Sequence, residues 1–266
     1  MENAILFYLV RSSERDIKDL TISLLQLKKF FLNKYPYKVA FFIENDFKEE
    51  WIEHIKSLYD ICEFVNIEFS IPEHNNHLLS VIPKFFPHPT HSNGPDGWGH
   101  PGFSLGYRHM CRFMSGEIYK NEYLKNYDWY WRIDTDSFFL DYINDDPFKT
   151  LKDNNLIYGY NNICEDHEKV VEGLYEAGEV YMMCNGIIPK NKIEKPLMFY
   201  TNFEIANMKW FQNEGYLDLY NFIDNSGGIY LHRWGDAPIR YIGLMMLLEK
   251  EKMYDFSKDI QYKHGY

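Results

Sequence analysis

Two carboxylates, Asp134 and Asp136, stand two positions apart at the end of the run Trp129-Tyr-Trp-Arg-Ile-Asp-Thr-Asp136. Alternate residues of an extended chain point to the same face, so a strand reaching that far would bring both carboxylates to one point. Hard divalent cations take oxygen ligands, commonly one or two carboxylates together with substrate phosphates. An Asp-x-Asp at the carboxyl end of a buried strand is therefore a candidate seat for a metal and a diphosphate, an arrangement suited to transfer from a nucleotide sugar. The same tripeptide also occurs in solvated turns, so its meaning depends on the elements that place it.

Those elements follow a regular order. Ala4–Val10 reads as a strand and Arg11-Ser-Ser-Glu-Arg-Asp16 as its polar exit. Ile17, Leu20, Leu24, Leu27 and Phe31 recur at helical spacing. Tyr37–Ile43 is a second strand leaving through Glu44-Asn45-Asp46, Lys48–Leu58 a helix, and Cys62–Phe69 a third strand. A β-α-β-α-β opening predicts a largely parallel sheet covered by helices, with ligands at the carboxyl ends of its strands. Arg11, Asn45 and Asp46 sit at such ends.

Between Ile71 and Phe103 lie six prolines, four glycines and five histidines, which predicts a long irregular covering loop. Tyr107–Lys120 reads as an amphipathic helix, with Arg108 and Arg112 one turn apart. Ile157–Tyr160 is a short strand. Thr201 to Phe211 reads as a capped helix with Glu204 in its first turn. Ile229–Arg233 reads as a strand and Ile239–Leu248 as an apolar helix. No repeat or linker interrupts the chain, so a single domain over 1–266 is expected.

Composition narrows the partners. The 266 residues are 45% hydrophobic and include 22 Tyr, 20 Phe and 6 Trp. Most of these rings must be core, and Tyr and Trp also suit sugar-binding clefts. A formal charge of −11 lacks the basic footprint nucleic acid demands and does not favour anionic membranes. The first ten residues have no basic leader and read as a strand, and no segment approaches a membrane span. Cys62, Cys111, Cys164 and Cys184 are too scattered for a zinc site and look like ordinary thiols.

Five motifs occur in order: Tyr107-Arg-His-Met-Cys-Arg-Phe-Met-Ser-Gly116, Tyr130-Trp-Arg-Ile-Asp134, Asn202-Phe-Glu-Ile205, Gly227-Gly228 and Arg233-Trp-Gly-Asp-Ala-Pro238. Together they resemble the fungal Kre2/Mnt1-type α-1,2-mannosyltransferases, glycosyltransferase family 15, over nearly the whole chain. The resemblance implies an α/β GT-A glycosyltransferase fold, a Rossmann-like mixed sheet with helices on both faces. It also implies GDP-mannose as donor, Mn²⁺ (or Mg²⁺) as cofactor, and retention of the α configuration. The acceptor would be a sugar hydroxyl of a glycan or glycoprotein.

Residue by residue, the resemblance makes Asp134 the family's acidic metal ligand, though Asp replaces Glu and Thr135 replaces a proline. His264, in Gln261-Tyr-Lys-His264, fits the second ligand, with Gln261 in place of a glycine. Asp136 is a further metal candidate. Tyr107 would contact the donor near the reacting centre, Glu204 would lie on the β face of the donor sugar, and Asp236 would stand near the acceptor. Arg11 would help hold the nucleotide; Asn45 and Arg112 are further candidates for donor binding. Blander roles stay open: Glu204 complementing a helix dipole, Asp236 capping a turn, and His264 on a frayed tail. Arg108, Arg112 and Arg132 suit phosphates and carboxylates equally.

Two other readings keep the fold. One is a transferase for a different donor, GDP-fucose or a UDP-sugar. The other is a catalytically silent carbohydrate-binding protein. The family's enzymes are anchored in the Golgi; this sequence, with no anchor in view, suggests a cytoplasmic or virus-encoded soluble form, or a Golgi-lumenal one if it is trimmed from a longer chain.

Overall fold

A computed structural model describes residues 1–86, 103–213 and 215–265. Its core is a seven-stranded sheet. The first strand, β1 (Ala4–Leu9), pairs in parallel with β2 (Lys38–Ile43), and β2 with β3 (Cys62–Asn66). On its other side β1 pairs in parallel with the central strand Trp129–Ile133. Beyond that the sheet continues through Phe203–Asn207, Tyr158–Tyr160 and Met253–Asp255. Phe203–Asn207 alone runs antiparallel to both its neighbours, which makes the sheet mixed.

Local chemistry accounts for the first helices. In α1 (Glu14–Leu27) the Ser13 hydroxyl accepts from the Asp16 N–H, and Glu14 and Asp16 place negative charge at the positive helix end. Ile17, Leu20, Leu24 and Leu27 are buried as the periodicity requires. Two glutamates open α2 (Glu49–Leu58). Ser104 caps α3 (Leu105–Arg112) through the Tyr107 N–H, and the helix runs on through a π-turn at Phe113–Glu117 to Lys120. The apolar residues form two layers, one on each face of the sheet. Phe7, Phe42 and Tyr130 belong to one; Leu6, Phe41 and Trp131 belong to the other. This alternation follows from the period of two along each strand.

Two local readings are corrected. The segment from Thr201 is the strand Phe203–Asn207, and a helix begins only at Met208. Its backbone groups are taken by strands on both sides, and such pairing outweighs local helical propensity. Ile229–Arg233 is not a strand: Gly228–His232 is a helical turn between Gly227 and Arg233, whose φ angles are +75° and +62°. These left-handed residues bend the chain at both ends, and Trp234 then packs over Gly228.

In the proline-rich stretch, a 3-10 turn spans Glu73–Leu78, and Phe85–Phe86 pairs with Phe103–Ser104. Residues 87–102, about half of the expected covering loop, with His88, His91 and His100, lie outside the described residues. Among the described residues, no helix is long and apolar enough to cross a membrane. All four cysteines are free.

A Cβ at position 228 would lie 2.2 Å from the Trp234 ring. Gly228→Ala is expected to lose about 1–3 kcal/mol, the usual cost of overpacking. Urea unfolding followed by Trp fluorescence measures it, and an unchanged midpoint would show that the ring has room to move.

Candidate active site

The central strand ends at Ile133, so Asp134 and Asp136 lie in the turn after it, closed by a bond from the Ser137 N–H to the Asp134 carbonyl, 3.1 Å. They converge all the same, because the chain's last strand returns to them. Tyr262–His264 pairs antiparallel with Ser137–Phe139 and sets His264 opposite Ser137. His264 Nε2 lies 3.0 Å from Asp136 Oδ1 and 3.9 Å from Asp134 Oδ2. Its Nδ1 is 3.1 Å from the Tyr200 hydroxyl. The imidazole is therefore pinned, and the frayed-tail alternative does not hold.

The electrostatics of this trio are asymmetric. Burial would push the His264 pKa down, but the bond to Asp136 and the charges of both aspartates raise it. Burial pushes Asp136 up, and the same bond more than offsets this and holds it below the ordinary range. Asp134 stays raised by burial against the pull of Arg132 and His264. Among the described residues, no three acidic, histidine or cysteine side chains stand ready to enclose a metal by themselves. Asp134 and His264 nevertheless fit a shared ion: two donors on a cation with bonds of about 2.1 Å stand about 3–4 Å apart. Such a pair leaves most coordination positions to phosphate and water.

Arg132, on the central strand, is 4% exposed. Its Nε donates to Asp134 Oδ1 at 3.2 Å and its Nη1 to Asp236 Oδ2. Asp236 opens the helix Asp236–Leu247 and also accepts from Thr201 Oγ1, 2.8 Å. Burial favours a neutral Asp236, yet Arg132 and these bonds hold its carboxyl below the usual range. Tyr107 on α3 accepts from Arg233 Nη2 at 2.8 Å, and Arg233 Nη1 donates to Asp166 at 2.9 Å. The Arg233 guanidinium also lies 4.2 Å from the Phe103 ring centre, a cation–π contact.

Two cavities meet along this row. One, of about 430 Å³, runs from Phe69, His109 and Glu44 past Val10 and Arg11 to Asp134 and Asp136. The other, of about 250 Å³, is walled by Asp166, Tyr200, Asn202, Arg233, Asp236 and His264. Tyr107, Met110, Arg132 and Asp134 line both. The result is one bent cleft with the carboxylate–imidazole site at its elbow.

The cleft thus gathers Tyr107, Asp134, Asp136, Asp236, His264 and Arg11, the last an exposed rim residue bonded to Asp16 at 2.7 Å. Three expectations are corrected. Glu204 lines neither cavity: it is 1% exposed and takes bonds from Tyr130, from Tyr158 at 3.0 Å and from Arg240 at 2.7 Å. As part of a strand, it points into the core layer beneath Arg132. Arg112 forms a two-pronged bridge to Asp224, at 2.8 and 2.9 Å. Five residues along a helix is about 140° around it, so Arg112 faces away from Tyr107. Asn45 lines neither cavity; of the exposed residues in the turn after β2, it is Glu44 that lines the cleft. Arg108, fully buried, donates to the carbonyls of Tyr230, Pro83 and Lys84 and is likewise structural.

Sequence reasoning passed over Asp166, Tyr200, Arg233, Phe69 and His109. The place of Arg233 at the head of the motif Arg233-Trp-Gly-Asp-Ala-Pro238 was the available signal. The others come together only through strand order.

The sequence profile of a family described as "Glycolipid 2-alpha-mannosyltransferase" matches residues 1–266. The chain belongs to this family. It is 29% identical over 276 residues to the glycolipid 2-alpha-mannosyltransferase of Saccharomyces cerevisiae, covering 97% of this chain and 60% of that protein. It is 35% identical over 167 residues to the probable mannosyltransferase KTR3 of the same yeast, covering 58% of this chain and 41% of that one. It thus spans about half of these two relatives. Among solved structures it resembles core-mannan synthase A (CmsA/Ktr4) from Aspergillus fumigatus in its Mn/GDP form, with a TM-score of 0.82, 27% identity, and coverage of 99% of this chain and 75% of that one. The S. cerevisiae mannosyltransferase Ktr4p in complex with GDP shares the fold, with a TM-score of 0.81, 24% identity, and coverage of 99% of this chain and 71% of that one. The expected family and α/β GT-A-like architecture are thereby borne out.

Two measurements test the corrected roles. Glu204→Gln leaves Arg240 buried without its counter-charge and is expected to cost about 3 kcal/mol in urea unfolding; a change under about 0.5 kcal/mol would fit an ordinary surface carboxylate instead. Asp236, held low in the folded state, binds fewer protons than in the unfolded chain, so its stabilisation is full above the unfolded pKa of about 3.9 and is lost as pH falls through the folded value. Asp236→Asn should therefore lose less stability than the parent between pH 5 and pH 3. Equal losses would rule this out.

Proposed function

We propose that residues 1–266 act as one catalytic domain, a metal-dependent retaining transferase moving mannose from GDP-mannose to a sugar hydroxyl of a glycan or glycoprotein. The observation that carries this reading is the meeting of two cavities at Asp134, with His264 beside it on the wall of the shorter one. The longer one has the form of a nucleotide groove and the shorter that of a sugar chamber. The Mn/GDP form of the Aspergillus relative supports the choice of cofactor and base.

In this reading Asp134 and His264 would hold the ion, and Asp136, 3.0 Å from His264 Nε2, would orient that imidazole. The ion supplies Lewis-acid neutralisation of the departing diphosphate. Arg132 keeps Asp134 aimed at it. Arg11 closes the rim over the nucleotide, and Tyr107, fixed by Arg233, presses on the donor where the cavities join. Every carboxylate facing the sugar chamber already has a partner: Asp236 has Arg132 and Thr201, Asp166 has Arg233, and Asp134 has Arg132. With Glu204 enclosed as well, no free nucleophile faces the anomeric carbon among the described residues. That favours same-face transfer, in which the leaving phosphate takes the acceptor proton, over a covalent intermediate. Asp236 then orients the acceptor hydroxyl.

The test is GDP release from GDP-mannose with Mn²⁺ and a panel of α-mannosides, with the product anomer read by NMR. An α-linked product is expected. Asp134→Ala should reduce turnover about 10³-fold, the scale of a lost Lewis acid. A variant as active as the parent would show that the elbow is not the reaction centre. Binding of mannosides with no turnover or donor hydrolysis would favour a silent carbohydrate-binding protein.

A further inference from the structure

The two ring nitrogens of His264 have different neighbours. Nε2 faces the carboxylates, 3.0 Å from Asp136 and 3.9 Å from Asp134. Among the described residues the one hydrogen-bond partner of Nδ1 is the Tyr200 hydroxyl, at 3.1 Å. The two rings also meet edge to face, with centres 5.3 Å apart and planes at 76°. A neutral imidazole carries a single proton. The nitrogen that meets a cation must offer its lone pair, so the proton belongs on the other nitrogen and needs an acceptor there. Asp136 aims the ring but, standing on the Nε2 side, also draws the proton towards that side.

The surroundings of Tyr200 make its oxygen the acceptor that Nδ1 needs. The Tyr262 hydroxyl donates to Asn202 Oδ1 at 3.0 Å, which settles the way the amide faces. Asn202 is 4% exposed, and its Nδ2 is buried and short of a hydrogen-bond partner. The Tyr200 hydroxyl is the acceptor beside it. Two N–H groups thus converge on one phenol oxygen, which has two lone pairs to give. Burial above all, with the charges of Asp134 and Asp136 adding to it, raises the pKa of Tyr200, so the phenol stays neutral. The backbone fixes its place: the Tyr200 N–H donates to the Asn162 carbonyl at 3.0 Å, and the Tyr200 carbonyl accepts from the Phe203 N–H at 3.4 Å.

We infer that Tyr200 is the positioning residue of the ion site: its hydroxyl oxygen takes the Nδ1 proton of His264 and keeps the Nε2 lone pair turned towards the ion. Tyr200 also walls the shorter cavity, so the ion site and the sugar chamber share this one side chain. The inference rests on the reading above, in which Asp134 and His264 hold the ion, and names the residue that makes His264 a ligand.

Tyr200→Phe is the informative variant, because it keeps the ring and its edge contact with His264 and removes a single oxygen. Mn²⁺ titrated into the whole chain with GDP present, the free ion counted by EPR, reads the effect without turnover. Tyr200→Phe should bind Mn²⁺ about 10- to 100-fold more weakly than the parent, the usual scale for a lost outer partner of a ligating histidine. His264→Ala should weaken it at least as much. Adding Tyr200→Phe to His264→Ala should then change nothing more, since the hydroxyl acts only through that imidazole. A Tyr200→Phe protein that binds Mn²⁺ like the parent overturns the assignment. So does a Tyr200→Phe loss that is undiminished with His264 already gone, which is how a general loosening of the fold would read. If Asp134→Ala and His264→Ala both bind Mn²⁺ as the parent does, the ion reading itself fails and this inference fails with it.

Discussion

The site depends on one buried cation. Arg132 is anchored by its strand in the middle of the sheet, and its guanidinium reaches Asp134 on one side and Asp236 on the other. A charge this enclosed is tolerable only with its partners in place. The central strand, the turn that carries Asp134 and the first turn of the helix Asp236–Leu247 therefore have to assemble together. The same residue lines both cavities of the cleft.

Beneath this bridge lies a second one of the same kind. Glu204 and Arg240 are both about 1% exposed, and the guanidinium is packed 4.6–5.0 Å from the ring centres of Tyr119, Phe211 and Tyr216. Tyr130 and Tyr158 donate to the carboxylate. This lower pair locks the antiparallel strand and the last long helix to the central strand, so the upper pair sits on a rigid floor. A motif glutamate can thus matter to the cleft by supporting its base rather than by opening into it.

Much of this was legible in the chain. Binary patterning revealed β1 to β3 and their helices, since a buried parallel strand needs a short apolar run and a covering helix needs an apolar stripe. The abrupt change from Trp129–Ile133 to Asp134 and Asp136 marked a functional strand end. Glu204 was misread because the residues around it also satisfy a helical pattern, and only pairing with strands distant in sequence shows which period applies. Arg112 was misread because one-turn spacing from Arg108 says nothing about which face of the helix meets the cleft. Glu44 and Asn45 show the same limit over a single position: both stand exposed after β2, and only the geometry of the turn puts one of them on the wall of the cleft.

By itself, then, the sequence determined the elements, the family and the kinds of groups available: carboxylates after a central strand, a histidine near the end, aromatics in abundance. Those follow from short-range patterning and ordered motifs. The tertiary structure alone decided which groups meet. His264 reaches Asp136 through a strand pairing that spans 125 residues, Arg132 reaches Asp236 across 104, and the far end of the cleft exists only because β3, β2 and β1 lie side by side in that order. Contacts of that span are set by the sheet's hydrogen-bond ladder and by closure of its two apolar layers, and neither is written in any local stretch of the chain.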